Sequence, residues 1–179
     1  TSVNFVFAQQ GDQKEKQKDL LSSLNWKKWS PDPVPLFTPE ESLAQFKLAP
    51  GFKIELVAHE PMVKDPVFIE WDDEGRMWVG ELRTYMMDLD GSGENRRMSR
   101  VMVLEDTDGD GVMDQATPFL EDMLNVRSIA FVDGGVLVVE TGGLWFCKDK
   151  DGDLRCDERK KLFDFATSAK DNIEHAENG

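Results

Sequence analysis

From Phe52 onward, apolar residues recur in short runs broken by turn residues. "FKIELVA" alternates apolar and polar positions. "PVFIEWD" and "RMWVGEL" flank a turn at Asp72–Gly75, and "RVMVLED" and "ATPFLED" flank an acidic loop. "RSIAFV" and "GVLVVET" flank a turn at Asp133–Gly135, and "GLWFCKD" and "KKLFDF" flank a second acidic loop. Short period-two runs bounded by Gly, Pro and Asp predict strands. Upstream, "TPEESLAQF" predicts a helix. Thr38 caps it, Pro39 suits its first position, Glu41 completes a capping box, and "LAPGF" ends it. The polar run Gly11–Trp29 reads as a leader with a short helix around Leu20–Trp29, and "SPDPVPLF" as a stiff linker. The expected division is a leader and linker over 1–36, then a β-rich region over 37–179.

The β-rich region repeats itself. "IEWDDEGRMWVGE" (Ile69–Glu81) overlays "IAFVDGGVLVVE" (Ile129–Glu140) with one residue fewer in the turn. "MVLEDTDGDGVMDQATPFL" (Met102–Leu120) overlays "WFCKDKDGDLRCDERKKLF" (Trp145–Phe163) without a gap, an offset of 43 residues. The first copy carries an insert around "TYMMDLDGSGENRRMS". Four strands recurring in tandem describe a β-propeller blade. The expected fold class is therefore all-β. It comprises about two propeller blades and the start of a third at "NIEHAENG", preceded by a short helix. Two blades do not close a ring, so the reading is a piece of a larger propeller; an open two-sheet sandwich is the alternative.

The acidic loops carry the clearest chemistry. A loop with carboxylates at positions 1, 3, 5 and 9 and a carbonyl at 7 wraps a hard cation such as Ca²⁺. In the first loop these are Asp106, Asp108, Asp110 and Asp114, with the Val112 carbonyl. Gly111 makes the sharp turn. Position 12 is Thr117, so this is no EF-hand; the pattern resembles the calcium loops of thrombospondin type 3 repeats. The second loop offers Asp149, Asp151, Asp153 and Asp157, with Leu154 where Gly111 stands in the first. "DLDGSGE" (Asp88–Glu94) is a weaker third candidate. Both ions are expected to be structural.

Charge sharpens this picture. The 179 residues hold 35 acidic and 21 basic side chains, a net charge of −14. That balance excludes nucleic acid as a partner, because phosphate binding needs a basic face, and it suits a cation binder. "TSVNFVFAQQ" reads as the tail of a secretory signal, or as a frayed terminus or weak first strand; the first reading makes a periplasmic, extracellular or cell-surface location the expectation. Cys147 and Cys156 bracket the second acidic loop, and their spacing permits either a bridge or two free thiols.

Strand ends are ligand-contact points at a propeller mouth. Glu81, Arg83 and Tyr85 follow one another at alternate positions at the end of one strand, and Glu140 takes the matching place in the second repeat. They read as ligand contacts or as an ion pair between neighbouring blades. Trp71, Trp78 and Trp145 read as inter-blade core.

In combination, "FTPEESLAQFKLAPGFKIELVAHEPMVKDPVFIEWDDEGRMWVGELRTY", "VLEDTDGDGVMDQATPFLEDM" and "NIEHAENG" resemble the N-terminal propeller of the membrane-bound dehydrogenases of planctomycetes and Bacteroidetes. Those proteins are related to the glucose and sorbosone dehydrogenases. The resemblance covers Phe37–Gly179. It implies a six-bladed propeller, export, and oxidation of a sugar-like alcohol or aldehyde. It also implies pyrroloquinoline quinone as cofactor, haem c in a further C-terminal domain, and an electron-transfer partner or membrane-associated complex. In the resemblance His175 stands where the catalytic base is expected, and Asn178 joins Glu81, Arg83, Tyr85 and Glu140 among the substrate or cofactor contacts. The rival expectation is a catalytically silent, calcium-stabilised propeller acting as a binding or assembly module.

Overall fold

The computed structural model describes residues 36–85, 87 and 93–165. The chain divides into two compact units, Thr1–Ser42 and Leu43–Gly179. In the described part of the first, the predicted capping box is formed. The Glu41 amide donates to Thr38 Oγ1 at 3.2 Å, and the Thr38 amide donates to Glu41 Oε2 at 2.8 Å. The helix it starts, α1 (Pro39–Leu43), is five residues long, shorter than the apolar pattern predicts.

The second unit is all-β among the described residues. Strands β1 (Pro66–Trp71), β2 (Met77–Glu81), β3 (Ser99–Glu105) and β4 (Gln115–Met123) form one antiparallel sheet in sequence order. Strands β5 (Val126–Val132), β6 (Gly135–Glu140), β7 (Gly143–Lys148) and β8 (Glu158–Asp164) form the other. Each is a meander, and the acidic loops join the third strand to the fourth, as the repeat predicts. Even the irregularities correspond. The register shifts between Pro66 and Phe68 in one sheet and between Val126 and Ser128 in the other. It shifts again between Val101 and Met102, and between Leu144 and Trp145.

"FKIELVA" is not a strand. Its alternation is real, but among the described residues no strand lies beside it, and alternation without a ladder partner leaves backbone groups unpaired. Instead Val57 and Ala58 pack on one face of the first sheet, with Met62 and Val63, over Met77, Val79, Met102 and Leu104. The opposite face of that sheet, built on Trp78, Val101, Val103 and Phe119, packs against Val126, Ile129, Val136 and Val138 of the second. Covering on both faces explains why β2 is buried at every residue. Trp78 spans the junction, edge-on to Phe119 at 4.7 Å and to Phe131 at 5.2 Å. Its indole N–H donates to Asp72 Oδ2 at 2.8 Å. Of the three predicted core tryptophans, Trp78 is buried and Trp145 half-buried beneath the Arg159 guanidinium, 4.1 Å away. Trp71 is exposed, because it lies on the edge strand β1 beyond the covered area.

Each sheet is fastened by a buried glutamate at the end of its second strand. Glu81 is fully buried. Its Oε1 accepts the Lys64 amide at 2.8 Å, and its Oε2 accepts Nε of Arg100, its cross-strand partner. Glu140, equally buried, accepts the Leu124 amide at 2.7 Å and Nη2 of both Arg97 (2.8 Å) and Arg159 (2.9 Å). Lys64 and Leu124 each stand two residues before a first strand. Between them and the strand, Asp65 and Asn125 take left-handed backbone conformations, with φ 48° and 49°; Asp and Asn tolerate this region better than other residues with a side chain beyond Cβ. The chain is thus turned into each sheet by the same carboxylate clamp. Arg97 precedes β3, so its pair with Glu140 also ties the first sheet to the second.

Removing a buried carboxylate strands its charged and amide partners, whereas removing one half-exposed arginine does not. Glu140→Ala is expected to lower stability by roughly 3–5 kcal/mol. Arg97→Ala is expected to cost less than about 1 kcal/mol, because Arg159 and the Leu124 amide remain. Urea unfolding at pH 7 measures both, and equal costs would mean that the clamp is not centred on the carboxylate.

Candidate metal centre

The first acidic loop runs from the end of β3 to the start of β4, the second from β7 to β8. Most of their internal bonds recur from one loop to the other. Asp106 Oδ1 accepts the Gly109 amide at 2.7 Å and Oδ2 the Gly111 amide at 2.8 Å. Asp149 Oδ1 accepts Gly152 at 2.7 Å and Oδ2 accepts Leu154 at 2.8 Å. Asp108 accepts the Asp110 amide and Asp151 the Asp153 amide, at 3.2 and 3.3 Å. Asp110 accepts the Val112 amide and Asp153 the Arg155 amide, at 2.8 and 2.9 Å. Each loop closes where the Asp114 amide donates to the Glu105 carbonyl, or the Asp157 amide to the Lys148 carbonyl, both at 2.9 Å. Every aspartate therefore organises a turn as well as contributing charge.

The carboxylates converge. Oxygens of Asp106, Asp108 and Asp114 lie within 4.8 Å of one another, as do those of Asp149, Asp151 and Asp153. Two sets of hard oxygen donors, each carrying about three negative charges, suit a divalent ion with oxygen preference and suit no soft metal. Asp110 is outside the first set and Asp157 outside the second. Asp157 accepts the Lys150 amide at 2.7 Å, and Asp114 accepts the Thr107 hydroxyl at 2.8 Å. Val112, predicted to offer its carbonyl, is half-exposed at the rim of the first loop. With His59, Met62 and Met113 it lines a mostly apolar cavity of about 310 Å³. Asp88, Asp90 and most of the "DLDGSGE" candidate lie outside the described residues.

The loops differ at their sixth position. Gly111 has φ 91°, and Leu154 adopts the same left-handed region at φ 64°. A branched residue there is strained by its Cβ, which the apolar side chain offsets by packing on the core beside Cys156. Cys147 and Cys156 are free thiols. Burial first, then the neighbouring Cys156 thiol, push the Cys147 thiol up to about 12.

The residues expected at a ligand mouth divide. Glu81 and Glu140 are structural clamps, and Glu140 forms the inter-sheet ion pair that was the second expectation for this set. Arg83 lies 3.7 Å from Glu81 and, with Tyr85, Lys64 and Asp65, lines a cavity of about 490 Å³. Thr84, Ser99, Asn125 and Thr141, at the same ends of the strands, are buried with side-chain oxygens that have no hydrogen-bond partner. His175 and Asn178 lie outside the described residues. Sequence reasoning missed Arg97, Arg100 and Arg159, the partners that give the buried glutamates their role. Glu81 and Arg100 face each other across a strand pair, so strand register was the signal that pointed to that pair.

The backbone amide of Gly111 above all, and then those of Gly109 and Asp110, hold the Asp106 carboxyl below its ordinary value of 3.8. Burial raises Asp149, but the amides of Gly152, Leu154, Asp151 and Asp153 outweigh it and hold that group below 3.8 too. A lowered folded value means stability that is fully present above the ordinary carboxylate range and lost as pH falls through the folded value. Amide-exchange protection at Gly111 and Leu154 is therefore expected to hold from pH 7 to about pH 4 and to collapse below it. Asp106→Asn and Asp149→Asn should each flatten the profile of their own loop. Gly111→Ala meets open space, with no atom within 4 Å of the new methyl. It is expected to cost about 1–2 kcal/mol through backbone strain alone; an unchanged urea midpoint would show that the turn is not held at positive φ.

No curated protein and no solved structure matches the chain. A family model, described as a domain of unknown function (DUF7133), matches residues 38–179. That span takes in both sheets, both buried clamps and both acidic loops, and the chain belongs to this family.

Proposed function

We propose that the two sheets are successive blades of a calcium-stabilised β-propeller, and that this part of the protein serves as a rigid binding or assembly module of an exported protein. The observation that carries the reading is the recurrence of one carboxylate-to-amide bonding pattern in the two acidic loops. A solvated acidic turn has no reason to reproduce the same main carboxylate-to-amide bonds at a fixed offset, whereas a repeated cation cradle does. Each ion neutralises a cluster that would otherwise repel itself, and so stiffens the hairpin between the outer strands of a blade.

Face equivalence supports the propeller. Trp78, Val101, Val103 and Phe119 bury one face of the first sheet on the second. Their counterparts in the second sheet are Leu137, Leu144, Phe146 and Leu162, all apolar and none fully buried. A third sheet stacked in the same sense would cover them. At the other end, the Met113 amide donates to the Val57 carbonyl at 2.8 Å, as its counterpart Cys156 donates to Phe119 of the preceding sheet at 2.9 Å. Val57 thus stands before the first sheet as a fourth strand stands before the second.

Calcium titration tests the reading. Calorimetry is expected to register two sites per chain, with calcium favoured over magnesium because the loops are irregular and rich in carboxylates. At a hundredfold excess over Kd, binding adds about 2.7 kcal/mol per site, a rise in Tm of roughly 5–10 °C. Asp106→Asn with Asp149→Asn should remove both responses. No heat and no Tm change in millimolar calcium would end the proposal.

The cavity beside Arg83, Tyr85 and Lys64 favours a second reading, in which the propeller belongs to a sugar or sorbosone dehydrogenase using a quinone acceptor. The cations of this cavity suit an anionic cofactor such as pyrroloquinoline quinone, which would supply the hydride acceptor; Arg83 and Lys64 would orient it. A dye-linked assay with the quinone and a panel of sugars and alcohols is expected to give turnover that Arg83→Ala reduces at least tenfold. Absence of turnover across the panel leaves the binding module alone.

A further inference from the structure

The necks of the two acidic loops are built differently. In the first, Leu104 at the end of β3 and Met113 at the end of the loop belong to one buried apolar cluster. Their counterparts at the 43-residue offset are Cys147 and Cys156. The thiols occupy the same packed position: Cys147 is fully buried in the core cluster and Cys156 packs against it. The Cys156 amide is held by the Phe119 carbonyl at 2.9 Å, and its thiol donates to the Glu158 carbonyl at 3.1 Å. The second loop is also the one that carries a leucine at positive φ where the first has glycine.

We propose that Cys147 and Cys156 are a redox-closable clasp on the second acidic loop. The apolar contact that merely packs the first neck becomes a covalent bond in the second. Cys156 is only partly buried whereas Cys147 is fully buried, which sets the order of events. The Cys156 sulfur attacks the disulfide of an oxidant such as oxidised glutathione, and one glutathione leaves as its thiolate. The Cys147 sulfur then attacks Cys156 in the mixed disulfide, and the second glutathione leaves. The two cysteine protons pass to the two departing thiolates. Two protein thiols are oxidised to one disulfide while the glutathione disulfide is reduced. The ring closed lies in a single hairpin; the bond restricts the unfolded chain, less than a longer ring would, and holds the strained turn of Leu154 in place.

The inference does not depend on a bound cation, and its test is run in EDTA. The folded chain is equilibrated with oxidised glutathione and analysed by intact mass and non-reducing peptide mapping. The expected product has lost two hydrogens, links the Cys147 and Cys156 peptides, and melts roughly 5 °C or more above the reduced form. The variant Cys147→Leu with Cys156→Met copies the first neck. It is expected to fold, with a melting temperature indifferent to glutathione. A stable glutathione adduct on Cys156 that Cys147 never resolves would overturn the proposal, as would two free thiols in the folded protein under an oxidising buffer.

Discussion

A carboxylate taken wholly out of water is tolerated only when its lone pairs are met by donors, and this constraint governs the second unit of the chain. Glu81 and Glu140 each end a second strand, and each captures the backbone two residues before a first strand. The bond fixes where the chain enters the sheet, and the left-handed residue beside it fixes the direction. Arginines complete the neutralisation, one of them from the neighbouring sheet. Register, sheet entry and the junction between sheets therefore rest on two acidic side chains.

At the opposite ends of the strands acidic side chains do the reverse. The loop aspartates stay near solvent and organise backbone amides around themselves. The lowered carboxyl values of Asp106 and Asp149 record that arrangement. Convergence of three carboxylates within 4.8 Å is costly by repulsion unless a cation shares the space, so the loop bonding and the proposed ion are two aspects of one cradle. The repeats diverge beneath it. Glycine over an apolar neck in one loop is matched by leucine over a thiol pair in the other, and the leucine's strain is offset by packing that glycine lacks.

Much of the fold was legible in the residues. Short apolar runs bounded by turn residues placed the eight strands of the described residues, because a strand must bury at least one face and end where the chain turns. The offset of 43 residues placed the acidic loops between third and fourth strands. Where the reading failed, a partner was missing. Among the described residues "FKIELVA" alternates like a strand but has no ladder beside it, and Trp71 sits exposed on an edge strand. Spacing likewise placed Glu81, Arg83 and Tyr85 on one line, whereas the strand ends at Glu81, sending the first into the core and leaving the others at a cavity.

By itself the sequence determined the repeat, the strand order and the chemical character of the loops, since these depend on residue type and spacing along the chain. Tertiary structure alone decided which acids are clamps and which are cradles. It also decided which face of each sheet is covered, and that Cys147 meets Cys156 where Leu104 meets Met113. Burial and pairing are properties of distance in space, and residues far apart in the chain acquire them only when the sheets stack.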